Sequence, residues 1–349
     1  MRDHYRHRRV LILGGLGFIG SNLALKLAEA GAELTLVDCL LPEHGGSLKN
    51  VEEIRDQVRI VIADVRNAET LEAVVPGQEV IYSLAAQASH IGSMRDPMTD
   101  LDVNCRAQLG LLECCRRHNP DAKIVFTSTR QVYGRPQRLP VDEHTPIQPV
   151  DANGVSKCAA EMYYALYCEV FGVKSVVLRL TNTYGPRMNL RGAGSGFIGN
   201  FILKALTNTR IDVFGTGRQR RDFNYIDDVV DALLRAGRSD RVDGQAFNLG
   251  HPEHHSILDL VHLLQHLTGA TFRVVPFPED YAVIDVGDCY CDFSKFREAT
   301  GWMPRHNLAA GLARTLDFFN DDGTDWEEEA DHDSSVRCAS GIPAAEAGN

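Results

Sequence analysis

The chain of 349 residues is 44% hydrophobic and 24% charged, which supplies a large apolar core and excludes a collagen-like or low-complexity polymer. Its net charge of −11 is uneven, because residues 321–349 carry nine acidic side chains against one Arg and so leave residues 1–320 at −3. That near-neutral body gives no electrostatic case for nucleic acid, and no stretch reaches the roughly 18 apolar residues of a membrane span.

The chain opens on a basic stretch, Arg6-His7-Arg8-Arg9, that leads straight into an apolar run without a small-residue cleavage site. No signal peptide is expected, and the protein is expected in the cytoplasm. Nine cysteines, an odd number, sit mostly in apolar segments and read as reduced thiols. Runs at 10–13, 34–37, 58–62, 80–84, 124–126 and 176–180 predict strands, with helices over 21–30, 107–117 and 156–170 between them. Continuous apolar strands alternating with helices predict an α/β fold: a Rossmann-type, doubly wound parallel sheet covered on both faces. After residue 180 comes a Gly-rich basic loop, then shorter elements richer in Pro, His and Asp. The expected division is a dinucleotide-binding unit over 8–180, a smaller, partly interleaved lobe over 181–320, and an acidic, disordered tail over 321–349.

The first chemical signal is Leu13-Gly14-Gly15-Leu16-Gly17-Phe18-Ile19-Gly20, a glycine turn between a strand and a helix. One glycine permits the tight turn, one lets backbone amides reach a pyrophosphate, and one lets the helix pack on the strand. Helix amides and dipole then meet the phosphate charge. Asp38, 18 residues past Gly20 and at the end of the second strand, would accept the hydroxyls of an adenosine ribose and repel a 2′-phosphate. That favours NAD over NADP. Asp64, at the end of the third strand, reads equally as a contact to the adenine amino group or as the cap of a helix over 68–74.

Leu84-Ala85-Ala86-Gln87 after strand four and Ser128-Thr129-Arg130-Gln131-Val132-Tyr133-Gly134 after strand five make the pattern more specific. Further on stand Leu180-Thr181-Asn182-Thr183-Tyr184-Gly185-Pro186-Arg187, Arg221-Asp222-Phe223-Asn224-Tyr225, Phe247-Asn248-Leu249-Gly250 and Gly301-Trp302-Met303-Pro304. In that order, over residues 8–319, the chain resembles the extended short-chain dehydrogenase/reductases, in the group of NAD-dependent sugar-nucleotide epimerases and dehydratases typified by UDP-glucose 4-epimerase. The resemblance implies that bound NAD takes a hydride from a sugar carbon and returns it after a keto intermediate has formed. It assigns cofactor contacts to Gly14, Gly17, Phe18, Ile19, Gly20, Asp38, Asp64, Val65, Leu84, Ala85 and Ala86, with Lys157 on the nicotinamide ribose. Thr129 becomes the hydroxyl donor at the reacting centre, and Asn182, Asn200 and Arg221 become contacts to a nucleotide sugar. A homodimer through the helices at 107–117 and 156–170 is also implied.

Three departures carry information. The family's catalytic Tyr stands four residues before its Lys, where this chain has Asn153, an amide that cannot ionise. Another base (Lys157 with a lowered pKa, Tyr133, His90 or Asp151), a shifted register, or an NAD-binding sensor or scaffold without turnover are the open readings. After Thr129 stand Arg130 and Gln131, where 4,6-dehydratases resemble an Asp-Glu pair and UDP-glucuronate decarboxylases place a Glu. The missing carboxylate points to epimerisation of a nucleotide-linked hexose, C4 first, ahead of dehydration, decarboxylation or another change to the sugar. A second phosphate-binding Arg is expected before Asp285, but Tyr281 and Ala282 are there, leaving Arg218, Arg220 or Arg187 as substitutes, or a substrate with fewer phosphates. His251, His254, His255, His262 and His266 have no Cys or carboxylate at zinc-like spacing, and no metal is expected.

Overall fold

The computed structural model describes residues 2–41 and 45–321. After α1 (Arg2–Tyr5) come β1 (Arg9–Leu13), α2 (Phe18–Glu29), β2 (Glu33–Asp38), β3 (Arg59–Ile62), α3 (Ala68–Val74) and β4 (Val80–Ser83). Then follow α4 (His90–Arg95), α5 (Pro97–Leu101), α6 (Ala107–His118), β5 (Lys123–Thr129), α7 (Ala152–Phe171) and β6 (Ser175–Leu180). The second half adds β7 (Asn182–Tyr184), α8 (Gly196–Leu206), β8 (Ile211–Phe214), β9 (Arg220–Tyr225), α9 (Ile226–Arg238) and β10 (Gln245–Leu249). It ends with β11 (His254–Ser256), α10 (Ile257–Thr268), β12 (Phe272–Val275), α11 (Glu279–Val283), α12 (Ser294–Thr300) and α13 (Leu308–Asp321). The expected tail lies outside the described residues apart from Asp321.

All six expected strands and all three expected helices are present. β5 runs three residues further than its apolar run, because the ladder to β6 holds Thr127, Ser128 and Thr129 opposite Leu178, Arg179 and Leu180. Apolar periodicity is blind to that polar extension. A π turn over Asp102–Arg106, between α5 and α6, was not expected either.

Seven parallel strands form the main sheet in the order β3-β2-β1-β4-β5-β6-β10. Alternate side chains feed two cores. Val10 and Ile12 of β1 join residues of α2 and α9 on one face, while Leu11 and Leu13 join those of α3, α6 and α7 on the other. Burial on both faces is why the strands read as unbroken apolar runs. β10, from late in the chain, pairs with β6 and extends the sheet, and α9 packs against α2. The remaining strands make a three-stranded sheet, β11-β9-β7, and a two-stranded one, β12-β8, beside α8, α10 and α13. No helix among the described residues is long and apolar enough to cross a membrane.

α9 meets the sheet through a close contact. Tyr5 donates its hydroxyl proton to Leu234 O at 2.7 Å, so its 2.7 Å partner Tyr82 donates to Tyr5. Both hydroxyls crowd Gly237, where an added Cβ would lie 2.7 Å from Tyr5 Oη. Gly237→Ala is therefore expected to cost about 1–3 kcal/mol in urea unfolding, despite the roughly 1 kcal/mol that Ala gains in helix propensity. A stabilised variant would show that the tyrosines yield freely.

Candidate active site

The glycine turn lies where β1 ends, and its three glycines have three different reasons. Gly14 has φ +82°, and a Cβ there would lie 2.7 Å from Ala85 N in the loop after β4. At Gly20 a Cβ would collide with the Gly14 carbonyl, so this glycine is what lets α2 sit on the turn. Gly17 is different: an added Cβ would meet only Gly14 O, at an ordinary 3.5 Å. Its bareness serves no packing within the chain and leaves room for a ligand at the start of α2. Gly17 is also the N-cap of α2, which has no side-chain cap and no acidic residue in its first turn. The half-buried Phe18 and Ile19 therefore open a helix whose positive end is not neutralised by the protein. This cradle fits a pyrophosphate.

Asp38 ends β2 beside that turn and fixes it, accepting from Leu16 N at 3.1 Å and Leu40 N at 3.0 Å. Each carboxylate oxygen retains a second lone pair for a ribose hydroxyl. Asp64 is gripped by Arg66, at 2.9 Å to Nε and 2.5 Å to Nη2, which holds its pKa below the usual range. The helix-cap alternative for Asp64 is corrected: Asn67 caps α3 by accepting from Glu69 N. Val65 beside it is buried. Leu84, Ala85 and Ala86, all half-buried, carry the chain from β4 across the glycine turn, with Leu84 N donating to Leu13 O.

Thr129 closes β5, and its Oγ1 accepts from Gln131 N at 3.1 Å, capping a short turn while leaving its own proton to donate. Lys157 is 5% exposed on α7, its Nζ donating to Thr127 O at 3.0 Å over the Phe126 ring. Burial pushes this ammonium down to about 8 against the pull of Asp100 and Glu161. Asn153 is buried, and both its amide protons are engaged, by Gln87 O at 2.8 Å and Asp100 Oδ2 at 3.2 Å. Of the alternative bases, Tyr133 is locked: it accepts from Arg179 at 2.6 Å, donates to Asn248 at 2.8 Å, and burial raises its pKa. His90 and Asp151 meet, with Nδ1 2.9 Å from Oδ2.

Toward the smaller sheets, Asn182 donates to Asp222 O at 2.9 Å and accepts from Arg130 Nη2 at 3.1 Å. Arg221 is 6% exposed, donates to Gly287 O and Arg220 O, and lies 3.6 Å from Asp285 Oδ1, so its ion pair is a covered one rather than a surface one. Burial first, then the Arg130 charge, push its pKa down to about 10. The cation beside Arg221 is thus Arg130, reached from β5. Arg187 binds Asn50 O, Asn22 and Glu53, while Arg220 turns to His254 O and Arg218 is exposed. Asn200 is exposed on α8. His251 is buried against His306 O, and among the described residues no three His, Cys, Asp or Glu side chains cluster as metal ligands.

Residues 10–250 match the model of the NAD dependent epimerase/dehydratase family. The chain belongs to that family. A UDP-glucose 4-epimerase of Mycolicibacterium smegmatis is 32% identical over 89% of this chain and 98% of its own length. A UDP-glucuronic acid decarboxylase 1 of Xenopus tropicalis is also 32% identical, over 89% of this chain and 72% of its own. The crystal structure of a Thermotoga maritima UDP-glucose 4-epimerase with UDP-glucose superposes with a TM-score of 0.83 at 31% identity, covering 90% of this chain and 99% of that one. Relatives named as epimerases and relatives named as decarboxylases both reach 32% identity, so the family fixes a nucleotide-sugar enzyme and leaves the reaction open.

Within the family frame, sequence reasoning missed the contacts that tie Arg130 to Asn182 and Gln131 to Asp151. These residues are 52 and 20 positions apart, on elements that meet only in the fold. Lys157 offers a direct check of the site's burial. The folded protein sheds this proton near pH 8, whereas the unfolded chain keeps it to about 10.5, so stability rises with pH across that window. Below it the buried charge costs about 3 kcal/mol. Lys157→Met should be the more stable protein at pH 7, by up to that amount less about 1 kcal/mol for the lost hydrogen bond to Thr127 O. The advantage should shrink toward pH 10; a pH-independent difference in urea titrations would refute the burial argument.

Proposed function

We propose that this protein epimerises a nucleotide-activated hexose at C4, by NAD-dependent oxidation to a transient keto sugar and reduction from the opposite face. The observation that carries the reading is the absence of an accessible carboxylate beside Thr129. Arg130 and Gln131 occupy the positions next to it; among the described residues Asp151, bound by Gln131, has a side chain with no solvent exposure, and Glu161, bound by Ser128, is buried in an ion pair with Arg179. Elimination needs a further acid or base on the sugar besides the one that takes the hydroxyl proton, whereas epimerisation needs only that one base and a C–H bond broken and remade. In this reading residues 8–180 hold NAD and 181–320 hold the nucleotide sugar. The pyrophosphate lies over Gly14, Gly17 and Gly20 on the amides of Phe18 and Ile19, the ribose diol on Asp38, and the nicotinamide ribose near Lys157. Asp64 and Val65 border the adenine, and Leu84, Ala85 and Ala86 the middle of the cofactor. NAD supplies the hydride acceptor; Thr129 orients the reacting hydroxyl, and Asn182, Asn200 and Arg221 hold the nucleotide end of the substrate.

Incubation with a set of UDP-, dTDP-, GDP- and CDP-sugars, followed by mass spectrometry and chromatography, decides the reaction. Unchanged mass with a new stereoisomer is expected, while loss of water or CO2 would make this a dehydratase or decarboxylase. Asp38→Asn should weaken NAD binding about 10- to 100-fold in calorimetry, because a charge-assisted hydrogen bond is replaced by a neutral one, and should narrow the preference over NADP. An unchanged affinity would remove Asp38 from the ribose site.

The same reading takes α6 and α7 to pair with those of a second copy. On α7, Val155, Met162, Leu166 and Val170 are exposed at helical spacing, with Met162 at 65%. Leu166→Glu should convert a dimer to a monomer in light scattering after size exclusion, without loss of fold. A wild-type monomer would end this part of the proposal.

A further inference from the structure

We propose that His90, held by Asp151, is the general base that takes the hydroxyl proton of the sugar, a task for which the chain has Asn153 and no tyrosine four residues before Lys157. The proposal rests on the epimerase reading above and deepens it.

The geometry is that of a base and its orienting acid. Asp151 is the N-cap of α7, and its Oδ1 accepts from Gly154 N at 2.7 Å. Its Oδ2 accepts from Gln131 Nε2 at 3.1 Å and lies 2.9 Å from His90 Nδ1. The carboxylate is thus fixed from three sides and fully covered, whereas the His90 side chain is 37% exposed. Nδ1 makes this short contact without the alignment of a formed hydrogen bond, so the proposed dyad requires the imidazole to turn toward Oδ2 when substrate is bound. With its proton on Nδ1 facing the carboxylate, the imidazole carries its lone pair on Nε2.

The placement is built in. His90 opens α4 directly after the loop from β4 that crosses the glycine turn. Ser89 caps α4 through Gly92 N, and Ser93 Oγ accepts from Asn153 N at 3.2 Å, which docks α4 on the start of α7. Gln131 joins the dyad to the reacting end of β5, since its side chain donates to Asp151 and its backbone N to Thr129 Oγ1. The rivals are committed elsewhere: Tyr133 to Arg179 and Asn248, Asn153 to Gln87 and Asp100, and Lys157 inward to Thr127 O.

The step balances. The proton of the hydroxyl passes to Nε2, the oxygen's electron pair forms the C=O bond, and the hydrogen on the same carbon leaves with its electrons to the oxidised nicotinamide. On return of the hydride to the other face, the imidazolium gives its proton back to the oxygen, and both His90 and the cofactor end as they began.

The test uses the full-length protein with NAD and whichever nucleotide sugar it turns over. His90→Ala should lower kcat about 10²–10⁴-fold, leave KM and the calorimetric Kd for NAD within about threefold, and regain part of its rate on adding imidazole. Asp151→Asn keeps the helix cap, because Asn caps as well as Asp, and should lower kcat at least about tenfold. A His90→Ala enzyme with kcat near wild type overturns the dyad while leaving the epimerase reading intact, and so does a loss that imidazole cannot repair. A wild-type protein that binds NAD yet interconverts no nucleotide sugar overturns the reaction itself, and the dyad with it.

Discussion

Everything at this site depends on one close approach: the backbone of Gly14 at the end of β1 passes against the backbone of Ala85 in the loop after β4. β1 and β4 are neighbours in the sheet, yet their connections leave for opposite faces. α2 covers one face and α6 the other, so the ends of the two strands border a crevice that no crossover fills. A side chain at Gly14 would push the two loops apart. With them would go the uncapped start of α2 on one side and His90 on the other.

Around that crevice the chain divides its charges by burial. Buried charged groups deeper in the sheet are paired, as in Glu161 with Arg179, whose side chains are each 6% exposed. Such pairs fix one arrangement of β5, β6 and α7 at a high desolvation cost. Nearer the crevice, groups are left under tension. Lys157 is buried with a single carbonyl for its ammonium, Arg221 is crowded by Arg130 with Asp285 only partly offsetting it, and burial lifts the carboxyl of Asp222 to about 7. Unbalanced charge of this kind is what a charged ligand would complete. Relatives at 32% identity include both an epimerase and a decarboxylase, so the shared fold alone does not select the reaction.

Asn153 has a structural task of its own. Its amide cannot take a proton, but it can donate two, and both are used to tie α7 to Gln87 and to Asp100 of α5. Asp151, two residues upstream, meets a histidine from α4, so two neighbouring helices together build the dyad proposed above as the proton acceptor.

The sequence by itself determined the strand order's raw material, the glycine turn and the acidic end of β2. Each of these is local: apolar runs, a three-glycine spacing, and a carboxylate a fixed distance along the chain all act through neighbours in sequence. It also marked Thr129, Lys157 and Arg221, through their order in a family pattern. What only the tertiary structure decided is who meets whom. His90 and Asp151 are 61 residues apart, Arg130 and Asn182 are 52 apart, and Tyr133 is removed from proton transfer by Asn248, 115 residues later. Contacts of that range arise from how sheet and helices pack, and periodicity along one element carries no record of the partner that another element brings to it.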